Sequence, residues 1–239
     1  MLLSLFEKFR LKLRMFRAGK RRRSARFFEK ELFLLEFLVD GGTALDIGAN
    51  KGLYSSYLAL WADKVIAIEP NPVLARKLRY ALPGNCTVMQ VAVSDKKGLA
   101  TLNIPISKDG KAGYNTASLE EVSCDHTQQV EVETLTVDAL KLEDVRFLKI
   151  DVEGHEESVL KGAKNTIEKQ RPIVLMEANE TASDKTKALF AYFDDLDYVA
   201  LQMAGNQLIS LTRDPGTLYY RNIVFMPKVT YDRASLHDE

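Results

Sequence analysis

Two groups of residues in this chain have types and spacing suited to chemistry. The first is Asp46-Ile-Gly-Ala-Asn-Lys-Gly52, with Glu69 following twenty-three residues after Asp46. Gly48 and Gly52 let the backbone turn close against a ligand where a Cβ would clash, with Ala49 and Asn50 between them. Asp46 suits an ammonium, directly or through water. Glu69 suits the two hydroxyls of a ribose, because a carboxylate accepts two such hydrogen bonds well. The spacing is Gly-x-x-x-Gly after an acid, not the Gly-x-Gly-x-x-Gly that wraps a pyrophosphate. It points away from NAD and towards S-adenosylmethionine, which has no phosphate to cradle. Each feature also has a plainer reading: a strand-to-helix turn that needs glycine for geometry, and an acid at the positive end of the helix opening at Asn71.

The second group is Lys149-Ile-Asp-Val-Glu-Gly-His-Glu156. Asp151 is expected at the carboxyl edge of a strand beside the first turn, with Glu153, Glu156 and Glu157 in the loop and first helical turn that follow. Acids there stabilise a helix N-terminus, but four carboxylates and His155 in seven residues exceed what capping needs. An imidazole such as that of His155 suits proton removal from a hydroxyl, although a lone His in a turn is commonly only a hydrogen-bonding residue. Asp151, Glu153 and His155 are the candidate catalytic residues. Asp151 with Glu153 or Glu177 would also suit a divalent ion, but the spacing is not diagnostic and no metal is expected. Asn115 to Ser118 and Glu177 to Glu180 are weaker candidates for an acceptor pocket.

Positioning these groups requires alternating strands and helices. Thr43 to Ile47 reads as a strand, Leu53 to Ala62 as a helix, and Lys64 to Ile68 as a second strand ending at Glu69. Asn71 then caps a helix with Pro72 at its first position. A helix starting near Asn50 would aim free N–H groups at a ligand carboxylate. Thr87 to Val91, Arg146 to Ile150 and Pro172 to Met176 continue the sheet, with helices over Ser158 to Gly162 and Asp184 to Leu196. Such alternation predicts a doubly wound parallel α/β sheet with helices on both faces. Residues 95–135 break the rhythm with two extended runs, Gly98 to Ile104 and Val130 to Leu135, around a polar segment. Tyr198 to Met203, Gln207 to Leu211 and Asn222 to Met226 read as an antiparallel edge with turns at Gly205-Asn206 and Pro215-Gly216.

At 239 residues the chain is long enough for one α/β domain with a full core. Its formal charge is zero, yet residues 1–28 hold ten Lys and Arg against the single acid Glu7. Leu2, Leu5, Phe6, Phe9, Leu13 and Phe16 recur there at helical spacing. That basic amphipathic extension, residues 1–40 with its lead segment at 1–23, suits an anionic membrane surface, or else docking on its own domain or on a second subunit as a homodimer contact. Nucleic acid ranks lower as a partner, because the body lacks a basic patch interleaved with aromatics. No run approaches a transmembrane length, and two cysteines are too few for a disulfide framework. The expected setting is cytoplasmic, with peripheral attachment to the inner membrane face as an option.

The motifs LDIGANKGLYS, VIAIEPNP, VAVSDKKG, VETLTVDAL, FLKIDVEGHEESVLKGA and PIVLMEANE, in that order over residues 43–227, resemble the FkbM family of S-adenosylmethionine-dependent methyltransferases. The resemblance implies a seven-stranded class I methyltransferase sheet with one reversed edge strand, spanning residues 41–239. It implies methyl transfer to an oxygen on a sugar, glycan, lipid-linked sugar or natural product. By position, Asp46, Gly48, Asn50 and Gly52 would surround the methionyl part, Glu69 the ribose, and Ala92-Val93-Ser94 the adenine, with Asp151 near the methyl group. The family fixes no single base. The rival readings are an NAD-dependent oxidoreductase and a membrane-associated binding protein on an inactive methyltransferase fold.

Overall fold

The structure is a computed structural model that describes residues 30–106, 113, 117–120, 126–177, 184–204, 207–211 and 222–235. The lead segment 1–23, and with it the membrane and dimer expectations, lies outside the described residues, as do Asn115, Thr116 and residues 178–180.

The chain enters through a 3-10 turn, Lys30–Phe33, and a short helix α1, Leu35–Leu38. Strand β1, Thr43–Ile47, is buried along its whole length because β2, Lys64–Ile68, and β7, Val145–Ile150, flank it in parallel. Such strands read as continuous apolar runs, which is why Asp46 within β1 stands out. Beyond β2 lies β3, Cys86–Met89. Beyond β7 lies β8, Ile173–Glu177, also parallel. Helix α2, Leu53–Leu58, joins β1 to β2, and α3, Pro72–Ala81, joins β2 to β3. Asn71 caps α3 as its sequence predicts: Oδ1 accepts from Val73 N at 2.9 Å and Leu74 N at 3.3 Å.

The far side of the sheet carries the expected antiparallel strands and differs from the implied fold only in strand count. Strand β11, Asn222–Pro227, runs antiparallel between β8 and β9, Tyr198–Ala204, and β10, Gln207–Ser210, pairs outside β9. The sheet thus has eight strands in the order β10-β9-β11-β8-β7-β1-β2-β3, not seven. Both β10 and β11 run against the remaining strands, so the expected antiparallel edge is present at β10, and β11 is a second reversed strand inside the sheet. The pairing of Ala204 with Gln207 leaves a two-residue connection between β9 and β10, so the hairpin adds the extra strand locally. The irregular stretch after β3 forms a second sheet of β4, Ala92–Val93, β5, Gly98–Pro105, and β6, Thr127–Leu135, in the order β4-β6-β5.

Side chains alternate across the main sheet, giving one core on each face. Leu45, Ile47, Leu148 and Ile150 face helices α4, Glu156–Gly162, α5, Lys164–Gln170, and α6, Asp184–Asp195, through Val159, Ile167 and Phe193. Ala44, Val65, Phe147 and Leu175 face Leu35 of α1 and Leu58 of α2 on the other side. A final helix, α7, Lys228–Ser235, closes the described chain. Neither α5 nor α7 is signalled by the sequence pattern, since both are short and polar. Among the described residues, no helix is long and apolar enough to cross a membrane.

Helix α4 seats against β4 through Gly162, where a Cβ would lie 2.0 Å from the Ser94 carbonyl oxygen. Gly162→Ala gains helix propensity but forces backbone apart, and overpacking of that kind costs about 1–3 kcal/mol. The expected result is a melting temperature lowered by roughly 2–10 °C, read by calorimetry or circular dichroism. A variant as stable as the parent would show that β4 moves away from α4 freely.

Candidate active site

The strand ends meet in a cavity of about 610 Å³, a size usual for small-molecule sites. Alternation decides which side chains reach it. On β1 the face that carries Ala44 also carries Asp46, and in β7 the face of Phe147 carries Lys149. Register pairs Asp46 directly with Lys149, and Lys149 with Leu175, so Glu177 at the end of β8 falls on that same face. Asp151, two residues past Lys149, stays on it too. Four charged groups are thereby placed together by period-two geometry on neighbouring strands.

Asp46 is 2% exposed and accepts a 2.5 Å hydrogen bond from Ser55 Oγ on α2. Burial pushes its carboxyl above the usual range, against the downward pull of Lys149 and Ser55. The Lys149 ammonium, its side chain 2% exposed, lies 2.9 Å from Asp151 Oδ2 and 4.8 Å from the centre of the Tyr54 ring. It serves two acids from one buried position.

The glycine turn and Glu69 brace one another. Gly48 has φ +82°, and a Cβ there would sit 1.8 Å from the Asp151 carbonyl oxygen, so only glycine lets the turn after β1 meet the loop after β7. Glu69 is 6% exposed; Oε2 accepts from Asn50 N at 2.7 Å and Oε1 from Asn71 N at 2.8 Å. Burial outweighs those two bonds and pushes its carboxyl up to about 7. The Asn50 N–H is thus committed to Glu69, and α2 opens only at Leu53, three residues beyond the helix start expected near Asn50. The Asn50 side-chain oxygen, Oδ1, is buried with no hydrogen-bond partner among the described residues, at the cavity wall.

Gly48, Ala49, Asn50, Glu69, Ala92 and Val93 line the cavity, as do Asp46, Asp151, Glu153 and His155. Gly52 and Ser94 do not. Gly52 is close-packed over Leu78, and Ser94 Oγ is turned towards His155 and Asp95. His155 Nε2 lies 2.9 Å from Ser94 Oγ, and Nδ1 2.7 Å from Glu120 Oε1. The order Ser, His, acid is that of a nucleophile relay. Ser94 is away from the cavity, however, so the three residues form a strut between β4, the loop after β7 and the segment 117–120. That segment is held in turn: Ser118 Oγ donates to the Glu153 carbonyl at 2.6 Å, and Ser118 exchanges backbone bonds with Asn103 of β5. Glu153 itself adopts φ +49°.

Oxygens of Asp151, Glu153 and Glu177 lie within 4.8 Å of one another. Burial, then Asp151 and Glu156, raise the Glu153 carboxyl. Burial, then Asp151 by charge and by hydrogen bond, push Glu177 up to about 8. Lys149, Leu119 and Asn222 are cavity residues that the sequence reading did not assign, whereas Ser118 and Glu177, its weaker pocket candidates, do line the cavity. Lys149 did leave a signal, because an ammonium inside the buried run Phe147 to Ile150 must find a partner.

The chain is 26% identical over 165 residues to the hexuronic acid methyltransferase AglP of Haloferax volcanii, covering 65% of this chain and 64% of that enzyme. A crystal structure of methyltransferase FkbM from Methylobacillus flagellatus matches with a TM-score of 0.52 and 19% identity, covering 88% of this chain and 46% of that one. This chain therefore spans less than two thirds of the length of either relative. A putative methyltransferase of Streptococcus mutans in complex with SAH matches more loosely, at a TM-score of 0.47 and 13% identity, over 83% of this chain and 99% of that one. The methyltransferase FkbM domain model matches residues 46–200, more than half of the sequence, and the chain belongs to the FkbM methyltransferase family.

Proposed function

We propose that this protein is an S-adenosylmethionine-dependent methyltransferase acting on a hydroxyl of a sugar, glycan or related natural product. The observation that carries the reading is the pairing, within one cavity, of a nucleoside-type half and an acid-rich half. In the first, the Glu69 carboxylate, the unpartnered Asn50 Oδ1 and the close approach at Gly48 fit the ribose and amino-acid ends of the cofactor. Both Glu69 oxygens keep a lone pair beyond their backbone bonds, so the carboxylate still has capacity for a ribose diol. Asp46, Gly48 and Asn50 would hold the methionyl part, Glu69 the ribose, and Ala92 with Val93 the adenine. When bound, the cofactor supplies a methyl group on a positively charged sulfur.

This chain's residues then orient, exclude water and move a proton. Leu102 and Leu119, from the second sheet and its loop, line the cavity with apolar surface. Asp151 and Glu153 face the space left for the acceptor. His155 is the candidate least free to remove a proton, since each ring nitrogen already has a partner. The sugar assignment is supported by the acceptor named for the archaeal relative and by a wall of carboxylates, groups that accept sugar hydroxyl hydrogen bonds.

Titration calorimetry with S-adenosylhomocysteine tests the cofactor reading. Glu69→Gln is isosteric but uncharged, and losing charge-assisted bonds worth about 1.5–3 kcal/mol should weaken binding by roughly 10–150-fold. Wild-type affinity should also depend on pH in a defined direction. Because the free carboxyl sits near 7 and the ribose prefers it ionised, affinity rises as pH increases towards 7 and levels off above it. The same series on Glu69→Gln should lack that component. Equal affinity and equal pH profiles in the two proteins would remove Glu69 from the ribose site.

A further inference from the structure

The loop that carries Asp151, Glu153 and His155 is held from two directions. Asp151 N donates to the Ile47 carbonyl at 3.0 Å, so β1 fixes the loop as it leaves β7, and α4 opens at Glu156. Between these points the backbone turns left-handed twice, with φ +49° at Glu153 and +100° at Gly154. Glycine adopts that conformation freely, whereas glutamate holds it only where its surroundings impose it. Here the surroundings are the connection between β5 and β6. Ser118 Oγ donates to the Glu153 carbonyl at 2.6 Å, and Glu120 Oε1 lies 2.7 Å from His155 Nδ1. Residues 118 and 120 thus grip residues 153 and 155, one on each side of Gly154.

The grip is itself braced. Ser118 is 3% exposed and forms an antiparallel bridge with Asn103 of β5, through backbone bonds of 2.8 and 3.0 Å. Its Oγ also accepts from Glu120 N at 3.0 Å, and the Asn103 side chain donates to the Glu120 carbonyl at 3.0 Å. Ala117, Ser118 and Leu119 line the same cavity as Asp151 and Glu153. The cofactor half is built separately. The bonds that shape it, from Asn50 N and Asn71 N to Glu69, involve no residue of the segment 117–120.

We propose that Ser118, together with Glu120, is the positioning residue that fixes the Glu153-Gly154-His155 turn, and that through this turn the second sheet sets the affinity for the acceptor and not for the cofactor. The inference rests on the methyltransferase reading above and adds to it the element that selects the acceptor. Ser118 acts through the Glu153 backbone. Without its hydroxyl, the Glu153 carbonyl and the Glu120 N–H both lose a partner, and the left-handed turn loses the bond that imposes it. The wall facing the acceptor then shifts while the Glu69 side stays in place. A displacement of about 1 Å at such a wall is enough to cost roughly 100-fold in acceptor turnover.

The test uses the full chain with Ser118→Ala, the conservative Ser118→Thr, and Thr134→Val. Thr134 is a similarly buried hydroxyl of the same small sheet, bonded to the Lys96 carbonyl at 3.0 Å and away from the loop, so its variant reports a merely structural loss. Hydrogen exchange of a peptide spanning residues 151–157 should be about tenfold faster in Ser118→Ala and unchanged in Ser118→Thr and Thr134→Val. Affinity for S-adenosylhomocysteine should stay within about twofold of wild type in all three. With methyl-labelled S-adenosylmethionine and a panel of methyl hexosides and methyl hexuronides, Ser118→Ala should raise the acceptor KM roughly 10–100-fold, and Ser118→Thr should restore it. Unchanged exchange in Ser118→Ala, cofactor and acceptor affinity lost together, or the same KM rise in Thr134→Val overturns the proposal. The exchange measurement needs no acceptor, so it decides the clamp by itself. Label on no member of the panel strikes the acceptor class proposed above, and failure of wild type to bind S-adenosylhomocysteine strikes the methyltransferase reading.

Discussion

One buried ammonium organises the centre of this molecule. Lys149 lies between Asp46 on the neighbouring strand and Asp151 at its own strand's end, with almost none of its side chain exposed. Removing an ion from water costs several kcal/mol, and only close, well-directed partners offset it. Those partners exist because Asp46 and Lys149 are directly opposed in register and Asp151 follows two positions on. A one-residue slip between β1 and β7 would turn the acids to the opposite face and leave the lysine alone in an apolar layer. The register of the central pair and the electrostatics of the cavity are therefore one constraint. The bulge between β1 and β7 at Thr43 and Ala44 lies before this pair and leaves it aligned.

The second sheet lines one side of the cavity through Ala92, Val93 and Leu102. Strands β5 and β6 are long, locally paired and only half covered, with a small core of Ala92, Leu102, Ile104 and Val132. Their contribution to the site passes through two short contacts, Ser118 with the Glu153 carbonyl and Glu120 with His155. Both reach the loop after β7, where Glu153 holds a left-handed backbone that most residues avoid. The insertion thus holds the candidate catalytic loop in a conformation that the sheet alone would not impose. That is a physical reason for the interruption of the strand–helix rhythm at this point.

The parts of this arrangement written in local pattern were legible in the sequence. The β1 turn, the cap at Asn71 and the acids at the strand ends each follow from glycine, capping and alternation rules, and the FkbM motifs identified the family outright. What escaped depends on partners distant in the chain. Whether β11 sits at the edge or inside the sheet is decided by long-range pairing, and no local residue pattern distinguishes the two. His155 reads as a hydrogen-bonding or base candidate, and its partners, Glu120 and Ser94, lie 35 and 61 residues away, beyond any local pattern. Glu69 reads as a ligand group, yet its first two bonds are to the backbone that shapes the turn. Glu177 lies in a stretch with no spacing signature, and only the alternation of β8 beside β7 brings it to Asp151.

The cavity's surplus of carboxylate also has a consequence for what enters it. Asp46, Glu69, Asp151, Glu153 and Glu177 all border the space, and Lys149 is committed to its neighbours. Burial has raised four of these five acids above the usual carboxylate range. A cationic ligand entering such a site lowers their proton affinity and draws them to the ionised form, while an anionic one drives them the other way. On the proposed reading, arrival of a positively charged donor sharpens the negative potential felt by the next ligand.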